Sequence, residues 1–284
     1  MKTILLPTDF SDNSWKAIEY ALQLFKNETC NFYIMHALDS MVSAPSTGVT
    51  SRRASQAIYD SRINSSKDDL AKLLQKVQDY SNNPKHTFET KLVNGSLIAA
   101  VKAFSETTDV QLAIIGNKGA TALQKVTFGS NATQLILKLS CPIIAVPDTV
   151  NVVDDMTEIG FATDYTIENF GGGLNLMKEI ALSNNAILSV VNVVSSSSDS
   201  IPGLKSKRET LENAFKPVQL EYYTLTDVPV ELGIKVFSES RKIDMLALIT
   251  KRRSFFEKLT TKSHSKAISH NINVPLLVFD QRSF

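Results

Sequence analysis

The chain is poor in cysteine: its 284 residues include only Cys30 and Cys141, 111 positions apart, with no second thiol beside either. That spacing excludes a thiolate zinc site and argues against a disulfide framework. Long apolar runs are also missing. The opening MKTILLPTDFSDNS has one Lys and a short hydrophobic stretch broken by Pro7 and Asp9, whereas a secretory core is longer and a membrane span needs about 20 apolar residues. The expectation is a cytoplasmic protein with no membrane partner. An excess of one charge is lacking too: 30 basic side chains face 29 acidic ones, a formal net charge of +1, which argues against nucleic acid as a partner. The rest, 43% hydrophobic and 21% charged, is ordinary for a globular protein. The length suits two domains, each large enough to bury a core.

What is present is a repeat. Ile4-Leu-Leu-Pro-Thr-Asp9-Phe-Ser returns as Ile159-Gly-Phe-Ala-Thr-Asp164-Tyr-Thr, an offset of 155. Gln111-Leu-Ala-Ile-Ile115 returns as Met245-Leu-Ala-Leu-Ile249 at 134, and Cys141-Pro-Ile-Ile-Ala-Val146 as Val274-Pro-Leu-Leu-Val-Phe279 at 133. The falling offset makes the second copy 22 residues shorter, nearly all lost from its middle. Such internal repetition decides the architecture before any local reading does. The expected domains are 1–148 and 156–284, with Thr149 to Asp155 as the join.

Within the first copy, Thr3–Leu6, Asn31–Ala37, Thr87–Leu92, Leu112–Ile115 and Ile143–Val146 read as buried strands. Helical stripes lie between them: Trp15, Ile18, Leu22 and Phe25; Leu70, Leu73, Val77 and Tyr80; Leu97, Val101 and Phe104; Ala132, Leu135, Ile136 and Leu139. The second copy repeats the alternation with Ile167, Phe170, Leu174 and Met177, then Val230, Ile234 and Phe237. Strands alternating with single helices imply right-handed crossovers. The fold class is therefore α/β, two open five-stranded parallel-sheet sandwiches of Rossmann-like form. The Ser40 to Val49 segment, rich in Ser, Ala, Pro, Thr and Gly, reads as a loop.

In such sheets ligands bind beyond the carboxyl ends of the strands, where the winding reverses. The loops to inspect follow the first and fourth strands. After Ile115 comes Gly116-Asn-Lys-Gly119, then nine residues, then Gly129-Ser130 and a helix. Glycines let an anion approach bare backbone, a helix N-terminus favours negative charge, and Lys118 and Lys125 add positive charge nearby. Each residue alone has a commoner use as a turn or a cap. The set in register on one switch-point loop is harder to explain that way.

The spacing Gly116-x2-Gly119-x9-Gly129-Ser130 resembles the nucleotide-binding signature of the universal stress protein family. Pro7-Thr8-Asp9-Phe10-Ser11, Phe32-Tyr-Ile-Met-His36-Ala37 and Cys141-Pro142-Ile-Ile-Ala-Val146 are similar to that family's first loop, second strand and last strand. The resemblance implies an adenine-nucleotide alpha-hydrolase-like fold that binds ATP. Asp9 and the Ala37 backbone would lie at the adenine end, with Pro7 and Gly116 at the ribose and Thr8 of the first loop also among the nucleotide-binding residues. Gly119, Gly129, Ser130 and Asn131 would hold the phosphates, with Mg²⁺ or Mn²⁺ as a bridging metal the resemblance leaves open. For Asp9 the competing reading is a carboxylate that caps its own turn. His36, without an evident carboxylate partner, reads as a satisfied strand-end residue rather than a catalyst.

The second copy departs from the signature. Gly116 becomes Thr250, Gly119 becomes Arg253 and Gly129 becomes Lys262, one residue short in spacing, while Ser263 and Asp164 keep their types. Nucleotide is therefore expected in the first copy only. The basic run Lys251, Arg252, Arg253, Lys258, Lys262, His264 and Lys266 is either a solvated face or a surface for an anion or acidic partner. The last strands of the two copies are expected to cover one another as an intramolecular pseudo-dimer, with fusion raising their effective concentration to roughly millimolar; a further homodimer is left open. The expected role is that of a nucleotide-dependent regulator acting on a protein partner, and it is the family resemblance alone that implies a part in the stress response. Two alternatives stand beside it, a slow ATPase or nucleotide-dependent transferase, and an interaction scaffold that binds no nucleotide. There is no Walker lysine motif, and no general base stands out beside Asp9 and Ser130.

Overall fold

The computed structural model describes residues 1–38, 49–117, 130–139, 141–152, 155–167, 171–194, 196, 201–250 and 273–280. In the first half, strands β1 (Lys2–Pro7), β2 (Cys30–Leu38), β3 (His86–Asn94), β4 (Leu112–Asn117) and β5 (Ile143–Pro147) alternate with helices α1 (Asp12–Leu24), α2 (Val49–Tyr80), α3 (Leu97–Thr107) and α4 (Ser130–Lys138). The second half repeats the order with β6 (Glu158–Ala162), α5 (Gly172–Ser183), β7 (Ile187–Val194), α6 (Leu204–Phe215), β8 (Leu220–Thr226), α7 (Val230–Arg241), β9 (Met245–Thr250) and β10 (Leu276–Asp280).

The two sheets join into one of ten strands, ordered β3-β2-β1-β4-β5-β10-β9-β6-β7-β8. Each half is parallel and winds outward in both directions from its first strand: β1 lies between β2 and β4, and β6 between β7 and β9. Among the described residues the seam alone is antiparallel, with Leu276 opposite Ala145, Leu277 opposite Ile144 and Val278 opposite Ile143. The expected covering of one last strand by the other is thus realised through hydrogen bonding, which satisfies two apolar edges at once. One apolar cluster runs unbroken across both halves, from Ile4, Phe32 and Ile144 to Phe161, Met177 and Leu277. Polar contacts fasten its rim. Lys2 Nζ bridges Glu28 and Glu179 at 2.6 Å each, and Asn184 Nδ2 donates to the Leu24 carbonyl.

The predicted strands are all present, mostly a residue or two longer than read. Two helices depart from expectation. The 22-residue surplus of the first copy is largely the length of one element, because α2 has 32 residues where α6 has 12. At about 1.5 Å per residue α2 spans roughly 48 Å, whereas nine-residue β2 spans about 30 Å. Its C-terminal half finds the sheet, with Ser66, Leu70 and Val77 buried, whereas Ile58 further up is 55% exposed. Tyr80, read as part of the buried stripe, is 52% exposed and meets Trp15 edge-on as the helix leaves the core. In the second half α5 begins only at Gly172, so Ile167 precedes the helix, while Leu174 and Met177 are buried as expected; Phe170 lies outside the described residues. The loop read over 40–49 also lies outside them, apart from Val49, which opens α2.

Two outcomes test this packing. Ile144 is fully buried on the seam, so Ile144→Ala is expected to lower unfolding free energy by about 2–5 kcal/mol, as read by urea denaturation. His86, also buried, donates from Nε2 to the Phe25 carbonyl at 3.0 Å, and its Nδ1 has no partner. Burial holds its pKa below the ordinary 6.5, outweighing the help of that hydrogen bond. A depressed histidine pKa means the unfolded chain takes up the proton first. The contribution is therefore complete above 6.5 and fades as pH falls through the lower folded value. The urea midpoint should drop between pH 7 and 5, and His86→Gln should flatten that slope.

Candidate functional site

The carboxyl ends of β2, β1 and β4 are neighbours in the sheet, so topology alone gathers most of the residues the sequence singled out. Pro7 ends β1, buried and opposite Met35. Thr8 continues that ladder, its N–H donating to the Met35 carbonyl at 2.8 Å. Ala37 lies on the next strand, opposite Val93. Gly116 belongs to the last turn of strand rather than to the loop after it: it pairs with Val146, and β4 runs on to Asn117. Ser130 opens α4 and Asn131 is exposed in its first turn. Gly119, Gly129, Lys118 and Lys125 lie outside the described residues, as do Lys251, Arg252, Arg253, Lys258, Lys262, Ser263, His264 and Lys266 in the second half.

The loop after β1 is over-determined. Thr8, 6% exposed, accepts from the Phe10 N–H at 3.0 Å and shares a hydrogen bond with Ser14 Oγ at 3.0 Å. Asp9 Oδ1 accepts from both the N–H and the hydroxyl of Ser11, and Ser11 in turn caps α1 through Ser14 N. Partial burial opposes ionisation of Asp9, but these hydrogen bonds prevail and hold its carboxyl below the usual range. Phe10 takes a positive φ of 64° to make the turn, and its ring stands 4.4 Å from that of His36. His36 Nδ1 is 2.8 Å from the Thr8 carbonyl. A carbonyl only accepts, so Nδ1 carries the proton. Neither this bond nor the Ser11–Ser14 support was foreseen from sequence; the Ser-x-x-Ser spacing before a helix was the available signal.

The second half builds the same turn. Tyr165 N donates to Thr163 Oγ1 at 3.0 Å, Thr166 N donates to Asp164 Oδ1 at 2.9 Å, and Tyr165 has φ 58°. Asn192 replaces His36, with Nδ2 donating to the Thr163 carbonyl at 2.7 Å. The fold therefore uses the Thr-Asp turn in both halves, including the one whose glycine signature is gone. Turn capping is a real task of Asp9. Its exposed carboxylate keeps acceptor capacity beyond the Ser11 bonds.

Gly116 has a packing reason of its own. A Cβ placed there would stand 2.5 Å from the Asn13 carbonyl oxygen and 2.7 Å from Asn13 Nδ2, so bare backbone is what lets the first turn of α1 close over β4. Asn13 was not singled out from sequence, because nothing local relates it to a residue 103 positions later. Its buried Oδ1 has no hydrogen-bond partner. Thr250 carries a Cβ at the matching end of β9, and the counterpart of Asn13 by the repeat offset, Glu168, lies outside the described residues.

The strand ends gathered at the switch point of an open parallel sheet place the chain among the doubly wound α/β folds. Residues 1–147 match the model of the universal stress protein family, and the chain belongs to that family. It is 25% identical over 145 residues to universal stress protein MJ0531 of Methanocaldococcus jannaschii, covering 51% of this chain and 81% of that one. It is 24% identical over 145 residues to universal stress protein YxiE of Bacillus subtilis, covering 50% and 97%. A universal stress protein from Archaeoglobus fulgidus has the same fold over 98% of both chains, with TM-score 0.72 at 16% identity. A putative universal stress protein from Pseudomonas aeruginosa aligns over 99% of this chain and 93% of its own, with TM-score 0.58 at 12% identity.

Gly116→Ala separates packing from ligand contact. With backbone oxygen in the way, it is expected to destabilise the nucleotide-free protein by about 1–3 kcal/mol, measured as a lowered urea midpoint.

Proposed function

We propose that the first half binds ATP and that the chain acts as a nucleotide-dependent regulator in the stress response. The observation that carries this reading is positional. The spacing Gly116-x2-Gly119-x9-Gly129-Ser130 starts at the crest of β4, beside the β1 and β2 ends that bear Pro7, Thr8, Asp9 and Ala37. In this reading the exposed Asp9 carboxylate accepts from the adenine amino group, and Pro7 and Gly116 flank the ribose. The phosphates rest on backbone N–H groups of Gly119 and Gly129 and on Ser130 and Asn131 at the start of α4, where the helix dipole favours negative charge.

Mg²⁺ or Mn²⁺ would neutralise phosphate charge. Among the described residues no group of three His, Cys, Asp or Glu side chains is placed to hold a metal ion, so the phosphates themselves would supply its ligands. Residues 1–148 form the nucleotide-binding unit in this reading. Residues 156–284 form a degenerate one, in which Thr250, Arg253 and Lys262 place side chains where phosphate needs bare backbone. The basic run from Lys251 to Lys266 is then a surface for an acidic partner. Among the described residues no helix is long and apolar enough to cross a membrane, and the proposed setting is the cytoplasm.

Denaturing the purified chain and weighing the released small molecules tests the reading directly: adenine nucleotide is expected. Added ATP at 100 times its dissociation constant should stabilise the protein by about 2.7 kcal/mol. Gly119→Arg and Ser130→Ala should abolish that gain while leaving the empty protein folded. A chain that carries no nucleotide and does not respond to ATP would leave the scaffold reading in its place. AMP or ADP in place of ATP would favour hydrolysis.

A further inference from the structure

A partly enclosed cavity of about 220 Å³ opens at the junction of the two halves, away from the crest just described. Tyr20 and Leu24 of α1 form one wall, and Asn184, Asp244, Asn273 and Val274 of the second half face them. Asp244 is the carboxylate among the lining residues, and none of them is Lys, Arg or His. Its orientation is fixed, because Oδ2 accepts from Thr157 N at 2.7 Å, Thr157 Oγ1 at 3.1 Å and Glu158 N at 2.9 Å. Among the described residues, Oδ1 takes no hydrogen bond. Tyr20 is 6% exposed and its hydroxyl has no hydrogen-bond partner. Buried hydroxyls are ordinarily paired, and an orphan invites an explanation.

A carboxylate held in place, amide side chains around it and no cation among the described lining residues favour a positively charged guest. The volume is that of about seven water molecules and lies below the roughly 300 Å³ at which drug-sized pockets begin. The guest is therefore small. The geometry points to a site for a small organic cation, an ammonium or guanidinium group on a short apolar stem. Its N–H groups donate to Asp244 Oδ1 and to the Tyr20 oxygen, and its stem lies against Leu24 and Val274. Tyr20 comes from the first half and Asp244 from the second, so the site is complete only when the halves are paired, and occupancy favours that pairing. Nothing in this depends on nucleotide at the crest.

The test uses the full chain with n-butylammonium, n-butylguanidinium and neutral n-butanol as probes, followed by calorimetric titration and thermal denaturation. Saturable binding and a raised Tm are expected for the two cations and not for the alcohol. Asp244→Asn keeps an oxygen for the backbone cap and turns the other atom into a donor. It should weaken cation binding at least about tenfold, the worth of one hydrogen bond to a charged group. Tyr20→Phe should leave the empty protein as stable or more so, since it removes an unpaired hydroxyl, and should also weaken binding. If Asp244→Asn does not fold, Tyr20→Phe and the alcohol comparison decide the outcome. No saturable binding of either cation, equal binding of the alcohol, or affinity unchanged in Asp244→Asn or Tyr20→Phe overturns the assignment.

Discussion

The antiparallel contact of β5 with β10 is the constraint from which the rest of the molecule follows. Each parallel half ends in a short, largely apolar strand whose outer edge would otherwise leave backbone groups unpaired, and such an edge in water invites association. Placing one against the other satisfies both sets. It also brings α1 beside α5, so that a single apolar cluster continues under the whole sheet. The ion bridge from Lys2 to Glu28 and Glu179 and the cavity between Tyr20 and Asp244 exist because that seam sets the distance between the halves.

The copies differ in their core residues as well as in their loops, Leu5 against Gly160 for one, but they treat two features of the crest differently. The Thr-Asp turn after the first strand is kept in both halves together with its positive-φ aromatic residue. It closes a strand and steers the chain toward the following helix, and both halves need that. The glycine spacing after the fourth strand is kept in one half only. A residue serving the fold is expected to persist in both copies, whereas one serving a ligand proposed for a single copy is free to change in the other. On this criterion Asp9 and Ser130, whose types are kept as Asp164 and Ser263, count with the fold, Gly116 has a packing duty toward Asn13 although it changes in the second copy, and the distinctive signal for a ligand rests on Gly119 and Gly129.

Much of this was legible in the residues. The ten strands, the switch point between β1 and β4 and the meeting of the last strands follow from runs of apolar residues and from the repeat itself. Boundaries were less so: Gly116 reads as the start of a loop, yet pairing with Val146 carries β4 through it. The missing 22 residues could be located but not given a shape. They lie largely in the added length of α2, where residues 56–65 are mostly exposed and polar and carry no periodic signal. Tyr80 kept the helical spacing of its stripe, but the helix had already passed the edge of the core.

By itself the sequence determined the alternation of strands and helices, the two-copy plan and the asymmetry of the glycine signature, because these depend on local periodicity and on which backbone positions carry a Cβ. Only the tertiary structure decided that Asn13 requires a glycine at position 116, that His36 holds the Thr8 carbonyl, and that Tyr20 and Asp244 face one cavity. Each of these joins groups far apart along the chain, and such distances are set by how sheet and helices pack, which no local pattern encodes.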